Sequence, residues 1–286
     1  MSTISNRDFR PKLHFSAKKM WINDPNGLVY AKGLYHMFYQ YYPGSTEWGP
    51  MHWGHAVSSD LYDWEEKEIA LYPDSLGQIY SGCAVYDEDN SSGFGVFGVS
   101  PMVLIYTQHQ EYDCERREII SLAYSLDGEH FHKYEGNPVL EYEFSVDFRD
   151  PKVLRAPDGK GWNMVVAAKD RVIFFRSDNL RKWEKSGEFG PLDSHVGLWE
   201  CPDLFPIFDQ HGTKKWVLIV SYEKKTQDGG PDVQYFVGDF DGKNFSSDLS
   251  KYPKKFDAGC DNYAGITFEN APERVYIAWQ SNWRYA

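Results

Sequence analysis

Apolar positions in this chain come in short runs rather than at helical spacing. Runs rich in β-branched and aromatic residues cover 34–42, 102–107, 164–168, 172–175, 216–222 and 275–280, with clusters of Gly, Asp, Asn and Pro between them. Such runs, bounded by turn formers, predict strands and an all-β chain. Two half-motifs recur. One is a polar turn closing on an aromatic: Ser59-Asp60-Leu61-Tyr62-Asp63-Trp64, Ser125-Leu126-Asp127-Gly128-Glu129-His130-Phe131, Ser177-Asp178-Asn179-Leu180-Arg181-Lys182-Trp183 and, more loosely, Gly238-Asp239-Phe240-Asp241-Gly242-Lys243-Asn244-Phe245. The other opens a strand and occurs five times: Asn23-Asp24-Pro25, Tyr80-Ser81-Gly82, Arg149-Asp150-Pro151, Glu200-Cys201-Pro202 and Asp261-Asn262-Tyr263. Successive openings lie roughly 50–70 residues apart, room for one four-stranded blade. Five openings predict a five-bladed β-propeller over residues 1–286, with the openings on the innermost strands at one end of the channel. That geometry gathers Asp24, Asp150, Glu200 and Asp261 into one funnel. The rival is a β-sandwich with fortuitous Asp-containing turns, which the paired recurrence of both half-motifs disfavours.

Asp24 is the most constrained of these acids. Pro25 pushes it towards an extended conformation, and Asn26-Gly27 reads as a turn just ahead of a strand at Leu28. The bland reading is a turn Asp bonded to its own backbone; recurrence of the design with other acids argues for chemistry.

Composition narrows the partners. Aromatics make up 17% of the 286 residues, which suits both a β-protein and sugar stacking. A formal net charge of −12 argues against nucleic acid or an anionic membrane. The four cysteines, Cys83, Cys114, Cys201 and Cys260, are too scattered for a zinc cluster or a dense disulfide framework. His52 and His55 lack a third ligand and read as packing residues. The polar N-terminus reads as that of a cytoplasmic chain, or of a secreted one whose leader was removed before this numbering.

Glycoside hydrolysis uses two carboxylates across the scissile bond, one ionised and one protonated. Glu200, between Trp199 and Cys201, suits the acid. Asp24, flanked by Asn23 and Asn26, suits the nucleophile. Asp150, next to Arg149, is expected to stay ionised and to bind hydroxyls or stabilise charge.

These blocks together resemble glycoside hydrolase family 32, the β-fructofuranosidases, from about His14 onwards. The resemblance rests on 21–27 (W-I-N-D-P-N-G), Phe38-Tyr39-Gln40, 48–56 (W-G-P-M-H-W-G-H-A), 80–85 (Y-S-G-C-A-V), Phe148-Arg149-Asp150-Pro151-Lys152 and Trp199-Glu200-Cys201-Pro202-Asp203, in the family's order. It implies a five-bladed propeller and a retaining mechanism with Asp24 as nucleophile, Glu200 as acid/base and Asp150 as transition-state stabiliser. Retention implies the Asp24 and Glu200 carboxyls about 5 Å apart. It also implies a sugar pocket lined by Asn23, Gln40, Trp48, Ser81, Arg149 and Asp203, with Trp21 and Trp48 as stacking walls and no metal or cofactor. Cys83 stands where the family often has Ser. The family's chains continue past the block resembling 281–286 into a β-sandwich; this sequence stops there, so a fifth blade short of its closing strand, exposed edges and low stability are expected.

The blocks around Trp48 and Trp283 are more similar to levanases, exo-inulinases and yeast-type invertases, and the acidic balance suits a neutral sugar. The expected substrates are therefore sucrose and the fructans levan and inulin. Sucrose-6-phosphate hydrolysis, fructosyl transfer, an inverting arabinan- or xylan-directed hydrolase and an inactive carbohydrate-binding propeller stay open. Oligomeric state is not legible.

Overall fold

Every run named above falls within a strand, or one residue beyond it at 275 and 280, in the computed structural model, which describes residues 10–112, 115–142, 147–192, 197–223 and 231–286. Cys114 and residues 224–230 lie outside the described residues. Strands pair antiparallel with their sequence neighbours. The first sheet is β1 (Trp21–Ala31), β2 (Leu34–Tyr42), β3 (His52–Ser58) and β4 (Glu65–Glu66). The second is β5 (Gln78–Tyr86), β6 (Met102–Tyr112), β7 (Glu115–Ser125) and β8 (His132–Lys133), with β9 (Leu140–Glu141) added on β7. The third is β10 (Phe148–Arg155), β11 (Trp162–Ala168), β12 (Arg171–Ser177) and β13 (Glu184–Phe189). The fourth is β14 (Leu198–Phe208), β15 (Lys214–Glu223), β16 (Asp232–Phe240) and β17 (Phe245–Ser247), with β18 (Lys254–Lys255) on β16. The last two strands, β19 (Tyr263–Thr267) and β20 (Tyr276–Trp279), form a two-stranded sheet.

The molecule is an all-β propeller of four blades, and the five-bladed expectation is corrected. The fifth opening heads only the β19–β20 pair. Beyond Trp279 the chain turns back, residues 280–286 add no strand to the pair, and Asn282 Nδ2 donates to Cys260 O at 3.0 Å and to Asp261 Oδ1 at 3.1 Å. The pair packs between β14 and β1. It is tied to the first blade by Tyr30 N to Glu269 O and Glu269 N to Leu28 O, each 2.9 Å.

The polar turns join the third and fourth strands of the four blades. Asp60, Asp127, Asn179 and Asp241 each accept two backbone amides, from the residues two and three further on, through Oδ1. These are Asx turns, which a short acceptor side chain stabilises locally. In the first and third copies the closing Trp donates its indole N–H to Leu61 O or Leu180 O.

Strands read as continuous apolar runs because both faces of a blade are covered. On the third blade, Trp162, Met164, Val166, Ile173 and Phe175 pack with Val103, Ile105 and Leu122 of the second. The alternate residues Val165, Val172 and Phe174 pack with Trp199, Leu218 and Phe236 of the fourth. Period-2 alternation thus distributes apolar side chains to two cores, each aliphatic or Phe side chain contributing roughly 1.5–3 kcal/mol when fully buried.

All five inner strands break register at the opening motif. The breaks lie between Ile22 and Pro25 in β1, Ile79 and Gly82 in β5, Arg149 and Lys152 in β10, Glu200 and Asp203 in β14, and Tyr263 and Ile266 in β19. The openings are therefore β-bulges, where an extra residue bends the strand and re-aims a side chain. Asn26-Gly27 is likewise part of β1, not a turn before it. A second bulge follows there, and Gly27 has φ +54 with a Cβ position only 2.5 Å from the Phe38 ring, which requires glycine.

Candidate active site

Aligned by register, the five bulges place Ile22, Ile79, Arg149, Glu200 and Tyr263 at one position, Asn23, Tyr80, Asp150, Cys201 and Ala264 at the next, and Asp24 and Ser81 one residue further on, level with Pro151, Pro202 and Gly265. Asp150, Cys201 and Ala264 hold positive φ (61, 45 and 55), a left-handed conformation unfavourable for residues with a Cβ.

Short contacts join the residues of these bulges. Ser81 Oγ donates to Asp24 Oδ2 at 2.6 Å, and Asn23 Nδ2 donates to Asp24 Oδ1 at 2.9 Å. The amide of Cys201 donates to Asp150 Oδ2 at 2.9 Å. Cys201 Sγ lies 3.6 Å from both Asp24 Oδ2 and Asp150 Oδ2. Burial and the two neighbouring carboxylates push this thiol well up, so it keeps its proton and donates to one acid at a time.

A second set of contacts centres on Glu200. Arg149 Nη2 donates to its Oε1 at 3.0 Å, and the Tyr263 hydroxyl donates to its Oε2. Burial and the Glu200 charge hold the Tyr263 phenol well above its ordinary range, so it is a donor only. Arg149 does not reach Asp150 by hydrogen bond; its Nη1 goes to Asp147 at 2.9 Å and to Glu118 at 3.2 Å.

Asp24, Asp150 and Glu200 share a funnel of about 390 Å³, a volume suited to a small ligand. Asn23, Gln40, Trp48, Ser81 and Arg149 line it with them, as does Trp283. Trp48 at the mouth is 46% exposed and Trp283 39%. Trp21 backs the wall instead, stacking on Trp283 and donating to Asn23 Oδ1 at 2.8 Å. Two expected members are placed elsewhere. Asp203 is fully buried, paired with Lys152 at 3.1 Å and accepting from Thr267 N at 2.7 Å. Asp261 is exposed and bonded to Asn282 and Tyr285. A larger apolar depression, about 480 Å³ between the first blade and β20, holds none of the three acids.

Burial pushes Asp24 up to about 6; the Ser81 hydrogen bond opposes this and Glu200 adds to it. Burial likewise pushes Asp150 up to about 7, against Arg149 and with Glu200 and Asp24. Arg149 therefore does not hold Asp150 low as its adjacency suggested. Their mutual influence makes the acids a coupled group with shared apparent titrations.

A model of the N-terminal domain of glycosyl hydrolases family 32 matches residues 14–286. The chain belongs to this family. It is 47% identical to a levanase of Bacillus subtilis, an alignment spanning 100% of this chain and 43% of the levanase. The crystal structure of an exo-inulinase from Aspergillus awamori superposes with a TM-score of 0.87 at 37% identity, over 96% of this chain and 60% of that one. A fructofuranosidase from Schwanniomyces occidentalis, complexed with fructose, superposes at 0.89 with 38% identity, over 100% of this chain and 57% of that one. The chain spans about half the length of the curated relatives it matches. Among the described residues, no helix is long and apolar enough to cross a membrane.

Sequence reasoning passed over Tyr263 and Glu118. Tyr263 ends the fifth opening motif, and its place one residue before a bulge, like that of Glu200, is the signal that marks it. Glu118 carries no local signal.

Proposed function

We propose that this family 32 chain carries the catalytic centre of a retaining β-fructofuranosidase, which hydrolyses terminal β-D-fructofuranosyl residues of sucrose, levan or inulin. The supporting observation is the convergence of Asp24, Asp150 and Glu200, from three blades, on one funnel with an aromatic mouth. Asp24 attacks the anomeric carbon. The glycosidic C–O bond breaks, its electrons pass to the leaving oxygen, and that oxygen takes the proton of Glu200. Glu200 then accepts a proton from water as the water oxygen attacks the same carbon and releases Asp24. Asp24, at about 6, is mostly anionic at neutral pH, as a nucleophile must be. Asp150 accepts hydrogen bonds from fructose hydroxyls and stabilises the oxocarbenium-like state. Asn23, Gln40, Ser81 and Arg149 orient the ring, and Trp48 supplies an apolar face. Arg149 is already bound to carboxylates, and the rim Arg116 pairs with Glu111 at 3.7 Å, which favours a neutral sugar over a phosphorylated one.

The test is fructose release from sucrose, levan and inulin, with Glu200→Gln as control and the first-formed anomer read by NMR. Release as the β-anomer that disappears in the control is expected. Equal release by the control, or inversion at the anomeric carbon, overturns the assignment.

A further inference from the structure

Glu118 sits on β7 of the second blade, 5% exposed, and takes no part in the mechanism above. It faces His109 directly across the β6–β7 pair. His109 Nδ1 lies 3.1 Å from Glu118 Oε1, and the His109 ring stacks on Tyr80, with centroids 4.4 Å apart and planes at 8°. The two Glu118 oxygens in turn accept from Arg149 Nη1 at 3.2 and 3.3 Å. Arg149 is thereby held at one nitrogen by Glu118 and Asp147, and its other nitrogen meets Glu200. A guanidinium is a rigid planar fork, so fixing one nitrogen aims the other.

We propose that Glu118 is a positioning residue for the Glu200 carboxyl, acting through Arg149. The proposal rests on the functional reading above for its kinetic consequences, but not for its geometry. The charged and titratable groups around Arg149 are Glu118 and His109 from the second blade, Asp147 and Asp150 beside it, and Glu200 from the fourth. Glu118 offsets part of the Arg149 charge as well as fixing its direction. Burial pushes the Glu118 carboxyl up, but the His109 hydrogen bond and the Arg149 charge outweigh it and hold the group below its ordinary range. Glu118 is therefore an anion at neutral pH. Without it, Arg149 has one anchor fewer and a less balanced charge, and both changes fall on Glu200 and Asp150.

Glu118→Gln keeps the shape and removes the charge. The expected result is a cooperative melt, a kcat lower by about tenfold, the scale of one charge-assisted hydrogen bond, and a KM changed by less than about threefold, since Glu118 lies at the funnel wall only 5% exposed with its oxygens taken by His109 and Arg149. Glu118→Asp keeps the charge but shortens the reach: kcat falls and KM stays within about threefold. In a crystal structure of Glu118→Gln, the 3.0 Å contact between Arg149 and Glu200 is lost. A parental kcat in Glu118→Gln with that contact retained overturns the proposal, as does parental kcat in Glu118→Asp. If the parent releases no fructose from any of the three substrates, the functional reading fails instead, and the Arg149–Glu200 contact in the variant structure alone decides the role of Glu118.

Discussion

Two groups of buried charge lie on the same two inner strands and behave in opposite ways. Asp150 and Lys152 are two residues apart on β10, and Cys201 and Asp203 two apart on β14. In a regular strand such pairs share a face; the bulges at 149–152 and 200–203 separate them. On the funnel side, three acids face one arginine that also serves Asp147 and Glu118. Behind it, Lys152 is 2% exposed and reaches Asp203 at 3.1 Å, Glu269 at 3.0 Å and Thr267 O at 2.8 Å. Burial pushes Lys152 down, but the two carboxylates outweigh it and raise it above its ordinary range. Both groups are desolvated, so desolvation does not separate them. Neutralisation does: the funnel leaves Asp24 and Asp150 raised, whereas the lysine cluster fixes the β19–β20 sheet against the third and fourth blades.

The largest expected effect that tests this contrast is on rate. Asp24→Asn is expected to lower kcat/KM roughly 10⁴-fold or more, as loss of a nucleophile does. Its stability at pH 8 should equal or exceed the parent's, because the carboxylate it removes is opposed by burial in the folded state. A large loss of both activity and stability would erase the distinction between the two groups.

Lys152→Met is expected to do the reverse to stability. It leaves Asp203 and Glu269 without their cation, at a cost of about 3–5 kcal/mol, read as a lower urea midpoint with an unchanged transition slope. Unchanged stability would show that the cluster is not what holds the last sheet.

The smallest effect is on pH. The acid limb of kcat/KM should fall near 6, where Asp24 takes up its proton. Ser81→Ala removes a hydrogen bond to the anion and should move that limb up by about 0.5–1 unit. For folding, Asp24 and Asp150 bind protons more tightly in the native chain than in the unfolded one. Their contribution therefore becomes more favourable as pH falls through about 7 and 6. Lys152 is raised, so its contribution is present across neutral pH and is lost only at strongly alkaline pH. Ser81→Ala leaving the limb in place would mean that Asp24 does not set it.

Much of the architecture is readable in local chemistry. Strands show as apolar runs because blades cover each other on both faces. The four Asx turns need only an Asp or Asn and the next few amides, so they are visible one by one, and they match the four blades. Counting by strand openings overstates the number, because Tyr263 opens a strand whether or not a full blade follows. The acids Asp24, Asp150 and Glu200 stand out because each sits in a bulge motif. Asp203 and Asp261 look equivalent in sequence, but the bulge decides which neighbours of an opening face the funnel.

The sequence by itself determined the β class, the polar turns, the strand openings and the three acids that meet in the funnel, since each shows in residues close together along the chain. Only the tertiary structure decided that the last opening forms a two-stranded sheet, that Tyr263 and Arg149 hold Glu200, that Glu118 stands behind Arg149, and that Lys152 neutralises Asp203. Those outcomes depend on contacts between blades, such as Arg149 with Glu200 across 51 positions and Lys152 with Thr267 across 115. Charge, burial and direction at such contacts are set by packing around the axis, which no local pattern encodes.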